Sequence, residues 1–150
     1  FKTAIVEVMF QTAKTYLQIK DYVKARKLLN KGFRFIDSSE DELSMQTTKA
    51  YILYTDAEDG SLNREHVDEL LESLGSLDVQ NRKAMQEMAE LHFILYKIYT
   101  SLGDSRKARD MSEKAQSFLK ERSDMIEKEE DRKVYLSSRQ LFRGINALSS

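Results

Sequence analysis

The sequence has no proline, no cysteine and no tryptophan, and only 5 glycines in 150 residues. Without proline, nothing locks φ or removes a backbone donor inside a helix, and with few glycines the chain bends cheaply at few places. These absences suit long helices joined by short turns. The lack of cysteine excludes a disulfide framework, a thiol nucleophile and cysteine-ligated zinc. The expected location is the cytoplasm, where a cysteine-free chain meets no redox difficulty. Long apolar runs are missing as well. The longest are a few residues, such as Phe93-Ile94-Leu95, far short of the roughly 20 that a membrane helix needs. Nor does one sign of charge dominate: 24 Lys and Arg against 25 Asp and Glu leave a net charge of −1. Such a balance gives no long-range attraction for nucleic acid or an anionic membrane, so neither is an expected partner. The sequence starts at Phe1 rather than at an initiator Met and does not open on a signal-like charged-then-apolar stretch, so it is expected to be a piece of a larger protein.

What is present is apolar residue in quantity, 41% against 33% charged, enough to bury a core and too much for a disordered chain. Its spacing is helical almost throughout. Ile5, Val8, Met9, Thr12, Ala13, Tyr16 and Leu17 recur at three- and four-residue steps, and Asp21 stands where a second helix needs its N-cap. Asp59-Gly60-Ser61 is the clearest joint, and Gly103-Asp104 marks another. The periods predict helix pairs near 3–19 and 21–36, 41–57 and 63–76, and 81–102 and 104–122, then one long helix over about 125–148. The expected architecture is all-α: a single domain of about seven antiparallel helices, with units over 3–37, 41–76 and 81–122.

Two segments align without gaps. Residues 16–27, from Tyr16 through Asp21 and Ala25, lie over residues 99–110, from Tyr99 through Asp104 and Ala108, at an offset of 83 positions. Self-similarity of this kind marks a repeat array. On these residues the chain resembles the tetratricopeptide repeat, a helix–turn–helix unit of about 34 residues with an aromatic late in its first helix and small residues where helices cross. Ala13, Tyr16, Ala25, Leu29 and Gly32 match in the first unit, and Leu95, Tyr99, Gly103, Asp104, Ala108 and Ala115 in the later one. Met9 and His92 stand where the family usually has tryptophan, and Asp37 and Lys120 where it closes a unit with proline. The segment 47–74 shows two helices without the signature. The resemblance implies an α-solenoid, a tetratricopeptide-like superhelix whose first helices line a concave surface.

That surface is where the resemblance puts partner binding. It presents Glu7, Phe10 and Lys14 from the first unit, and Glu90, Phe93 and Lys97 from the later one, in the same Glu, Phe, Lys order. The middle helix would add Thr47, Tyr51 and Tyr54. Aromatics beside alternating charges make a reasonable face for a protein or peptide segment, since rings give contact area and charges set direction. The bland reading of Phe10 and Phe93 is that they pack against neighbouring units. The lysine, asparagine and arginine clamp by which some members grip a C-terminal carboxylate is absent, its places holding Phe10, Lys14, Glu90 and Ile94.

No nucleophile motif, phosphate loop or metal-ligand cluster occurs. His66 and His92, the only histidines, lie in different predicted helices, and neither has the second histidine of a helical zinc motif. The sequence therefore points to a scaffold or interaction module without cofactor, rather than an enzyme. The alternative is a structural or regulatory helical spacer within a larger enzyme or transcription regulator.

Overall fold

A computed structural model describes residues 2–36, 42–77 and 81–149. The described residues form eight α-helices and no strand: α1 (Lys2–Gln18), α2 (Tyr22–Phe35), α3 (Glu42–Asp59), α4 (Arg64–Leu74), α5 (Arg82–Ser101), α6 (Ser105–Asp124), α7 (Glu129–Ser137) and α8 (Gln140–Asn146), with a last 3₁₀ turn at Ala147–Ser149. The expected joint at 38–41 lies outside the described residues. No described helix is long and apolar enough to cross a membrane. The chain divides into two compact units, Phe1–Leu77 and Asp78–Ser150, taken here one at a time.

In the first unit α1 and α2 form a hairpin whose turn closes on backbone bonds. The Asp21 N–H donates to Tyr16 O at 2.9 Å and the Lys20 N–H to Leu17 O at 3.1 Å, the pattern that satisfies the last carbonyls of a helix. Asp21 then caps α2, its carboxylate accepting from the Lys24 N–H at 3.2 Å. The second unit repeats this bond for bond. Asp104 N–H donates to Tyr99 O at 3.0 Å, Gly103 N–H to Thr100 O at 3.1 Å, and the Asp104 carboxylate accepts from Lys107 N–H at 3.1 Å. Even the lysine–tyrosine pairing recurs, with Lys24 Nζ 5.5 Å from the Tyr16 ring and Lys107 Nζ 5.3 Å from the Tyr99 ring. A third turn of the same type ends α3, where Gly60 has φ +82° and Ser61 N–H donates to Asp56 O at 2.9 Å.

The turn demands a left-handed residue, and only glycine adopts that conformation without a Cβ penalty. Gly103 (φ +75°) supplies it in the second unit, whereas Lys20 (φ +62°) bears the strain in the first. Replacing Lys20 with Gly is therefore expected to stabilise the chain by about 0.5–1 kcal/mol, net of the entropy that glycine adds to the unfolded state. Gly103→Lys should move stability the other way by a similar amount. Urea titrations of the two variants check the pair, and shifts of the same sign would deny that the turns are equivalent.

Each hairpin packs on small residues. Ala13 and Ala25 are fully buried in the first unit, as is Ala115 in the second, with Ala108 at 5% exposure. Gly32 is buried too, and a Cβ there would stand only 3.9 Å from Met9 Cβ, so the helix surfaces meet at van der Waals distance. Helix α3 covers the first hairpin with an unusual face. Gln46, Thr47, Thr48 and Thr55 are buried along it beside Ala50, Tyr51 and Leu53. The threonines can be buried because each hydroxyl donates to the carbonyl four residues back, Thr55 to Tyr51 O at 2.8 Å and Thr48 to Ser44 O at 2.9 Å.

The expected single helix over 125–148 is a correction. α6 ends at Asp124, and the remainder forms two short helices separated at Ser138 and Arg139. Consecutive serines break it: the Ser137 and Ser138 hydroxyls donate to Val134 O and Tyr135 O, at 3.1 and 2.7 Å. Arg143 Nη1 then takes the Ser137 carbonyl at 2.7 Å, satisfying a helix end where the chain turns. α8 folds back so that Phe142 and Ile145 pack with Ala89, Ala115 and Leu119.

Candidate functional site

In the first unit α1 presents Phe10 and Lys14 one helical turn apart, on the same face. α3 lays Tyr51 against them. The Phe10 and Tyr51 rings meet edge to face, centroids 4.8 Å apart at 84°. Lys14 Nζ stands 4.6 Å from the Phe10 centroid and 5.2 Å from that of Tyr51. A cation over two ring faces is held by their quadrupoles, at about 0.5–1 kcal/mol for each exposed contact. Phe10 and Lys14 are half-buried, and Tyr51 is only 6% exposed. Tyr51 thus forms the wall of this patch, and Phe10 and Lys14 its reachable part. Glu7 is exposed and accepts from Gln11 Nε2 at 2.9 Å. Tyr54 is half-buried, its phenol pKa raised by burial first and then by the neighbouring Glu58 carboxylate and Tyr22.

In the second unit α5 presents Phe93 and Lys97 in the same relation, with Lys97 Nζ 4.7 Å from the Phe93 centroid. The surroundings differ. Phe93 stacks on Tyr96, centroids 6.2 Å apart at 10°, and packs against the cluster holding Phe142 and Ile145. Gly144 lies so close that a Cβ added there would stand 3.2 Å from Phe93 Cζ. One side of the ring is therefore covered by the chain's own α8. Glu90 is half-buried on α5.

Sequence reasoning missed an ion cluster. Arg26 of α2 donates from Nε and Nη2 to Asp56 Oδ1 at 3.2 and 2.9 Å, and Nη2 also pairs with Asp59 Oδ2. The Asp59 carboxyl is held below the usual carboxylate range, first by the Ser61 hydroxyl and then by Arg26. The Arg26 pKa is raised, chiefly by its bond to Asp59. One arginine thus clamps two carboxylates spaced i and i+3, tying α3 to α2. Nothing local in the sequence announces this, because the partners lie 30 and 33 positions apart.

His92 is 3% exposed, its Nδ1 lying 2.8 Å from Met88 O and its ring 5.4 Å from that of Phe118. Burial lowers its pKa below the ordinary histidine value, outweighing the Met88 bond. The side chain is a neutral core residue. Among the described residues no group of three or more His, Cys, Asp or Glu could hold a metal. The crevice between Val6, Phe10, Leu28, Leu29, Gly32 and Thr48 has about 10 Å³ of open space, room for a single water rather than a substrate. No protein family, characterised protein or solved structure matches this chain.

Proposed function

We propose that the chain is a helical-repeat interaction module of the tetratricopeptide kind, binding a protein or peptide segment and catalysing nothing itself. One observation carries the reading. The same half-buried Phe–Lys pair, with the ammonium 4.6 and 4.7 Å from the ring centroid, is built twice on the first helix of two hairpins whose turns match bond for bond. A core needs neither lysine, whereas a face that recognises acidic or carbonyl-rich segments uses both, the ring for contact area and the ammonium for direction. The solenoid arrangement and partner binding at each of the two patches are part of this proposal. So are the cytoplasmic location and the assignment of Glu7 and Tyr54 to the rim of the first patch and of Glu90 to that of the second.

The spacer reading has its own support: α8 covers one side of Phe93, and Tyr51 is nearly inaccessible. The Phe10→Ala/Phe93→Ala double variant separates the two. Losing an anchoring ring commonly costs about 2 kcal/mol of affinity, roughly thirtyfold. Pull-downs with the wild-type chain and the double variant, alongside far-UV circular dichroism, are expected to lose the captured protein while the helical signal persists. Unfolding of the double variant would assign both rings to the core and favour the spacer.

A further inference from the structure

The first unit shows what the hairpin accepts as a covering helix. α3 brings Thr48 to a crevice shared with Leu29 and Gly32, Tyr51 to Phe10, and Asp56 with Asp59 to Arg26. Shifted by 83 positions, Leu29, Gly32, Phe10 and Arg26 become Ser112, Ala115, Phe93 and Arg109. In the second unit α8 covers only part of this track. Phe142 and Ile145 pack with Ala115, Gly144 sits on Phe93, and Gln116 Nε2 donates to Ile145 O at 3.2 Å. Arg109 lies seven residues before Gln116 on α6, about 10 Å further along the axis. There Ser105, Arg106 and Arg109 are exposed and Ser112 half-buried, and among the described residues the Arg109 guanidinium has neither ion pair nor hydrogen bond.

We propose that this N-terminal half of α6, centred on Arg109, is a docking site for an acidic helix of a partner protein. Its carboxylates at i and i+3 would take the Arg109 guanidinium as Asp56 and Asp59 take that of Arg26. The chemistry follows from the donor set. A guanidinium presents five N–H groups in a planar fork, enough for two carboxylates at once, which an ammonium cannot match in geometry. Asp110 and Glu113 are exposed on the same helix, so the site selects by placement of the acid pair rather than by net charge. Asn or Gln at those two places in the partner would not suffice. The proposal rests on the interaction-module reading and names the chemistry of one of its partners.

The chain itself supplies the probe: a fluorescent peptide of residues 48–61, which carries Tyr51, Asp56 and Asp59 in their native spacing. Titrated with the full chain, it is expected to bind saturably and to lose about tenfold or more in affinity with Arg109→Ala, or when both peptide aspartates become asparagine. Arg109→Lys should recover only part of that loss. No binding, or binding indifferent to Arg109→Ala, overturns the proposal. Binding sensitive to Arg26→Ala but not to Arg109→Ala means exchange with α3 in the first unit, and overturns it too. If the chain alone self-associates and Arg109→Ala makes it monomeric, the occupant is a second copy and the foreign helix is wrong. Should the phenylalanine double variant lose its captured partner while Arg109 proves silent, the module stands and this site falls.

Discussion

Ala25→Asp and Ala108→Asp are each expected to destabilise the chain by about 4 kcal/mol, near the upper end of single-substitution effects. Both alanines sit on the second helix of a hairpin, at 0% and 5% exposure, immediately after the shared turn. A carboxylate there adds volume where helix surfaces already touch, at about 1–3 kcal/mol. It also takes a charge out of water without a partner, which adds a similar amount even after the group protonates. Ala84→Asp is the internal comparison. Ala84 is 8% exposed, but it stands in the first turn of α5, its N–H bonded to the Asn81 cap. A carboxylate at that end gains from the helix dipole and lies near solvent, so a loss of about 1–2 kcal/mol is expected. Denaturant titrations of the three variants check the order. Equal losses would mean that Ala25 and Ala108 hold no special place in the packing.

Leu91→Lys should be as damaging, whereas Val8→Lys should cost at most about 0.5 kcal/mol. The two positions are equivalent by the offset of 83 and carry similar apolar side chains. Leu91 is fully buried, yet Val8 is 65% exposed, in a stripe with Ile5 at 36% and Ile19 at 66%. Lysine at 91 forfeits the leucine's burial and strands an ammonium, together about 4 kcal/mol or more. At position 8 the stem lies along the helix and the head stays in water. Thermal melts decide it, and a large loss at Val8 would show that its face is covered in solution.

These contrasts mark how far the sequence could be read. Helices α1 to α6 are legible in it, since a chain without proline whose apolar residues recur every three or four positions has little else to form. The hairpin turns are equally local. Asp21 and Asp104 cap through their own third-residue N–H, and the left-handed position follows from backbone geometry within six residues. The packing alanines could be found because the motif repeats, even though Lys20 hides one glycine position. α3 was harder, because its buried face includes threonines, which satisfy themselves on their own helix, and Gln46, whose buried Oε1 has no hydrogen-bond partner, and these polar residues interrupt the hydrophobic stripe. The break at Ser138 was missed because serine in a helical period signals only weakly until neighbours such as Arg143 take the freed carbonyls.

The candidate site divides along the same line. Phe10–Lys14 and Phe93–Lys97 are four residues apart on regular helices, so sequence alone determined that each lysine would reach its ring. What lies over those rings was settled only by tertiary structure. Tyr51 walls the first pair and Gly144 lies against the second, and these come from segments about 40 and 50 positions away in chain order. The same holds for Arg26, clamped by Asp56 and Asp59, and for Arg109, which is exposed and, among the described residues, has no such acidic pair on it. Local periodicity sets which face of a helix is apolar or charged. Whether that face is buried, paired or open depends on which distant segment reaches it, and loop-closure entropy and packing decide that for the whole chain at once.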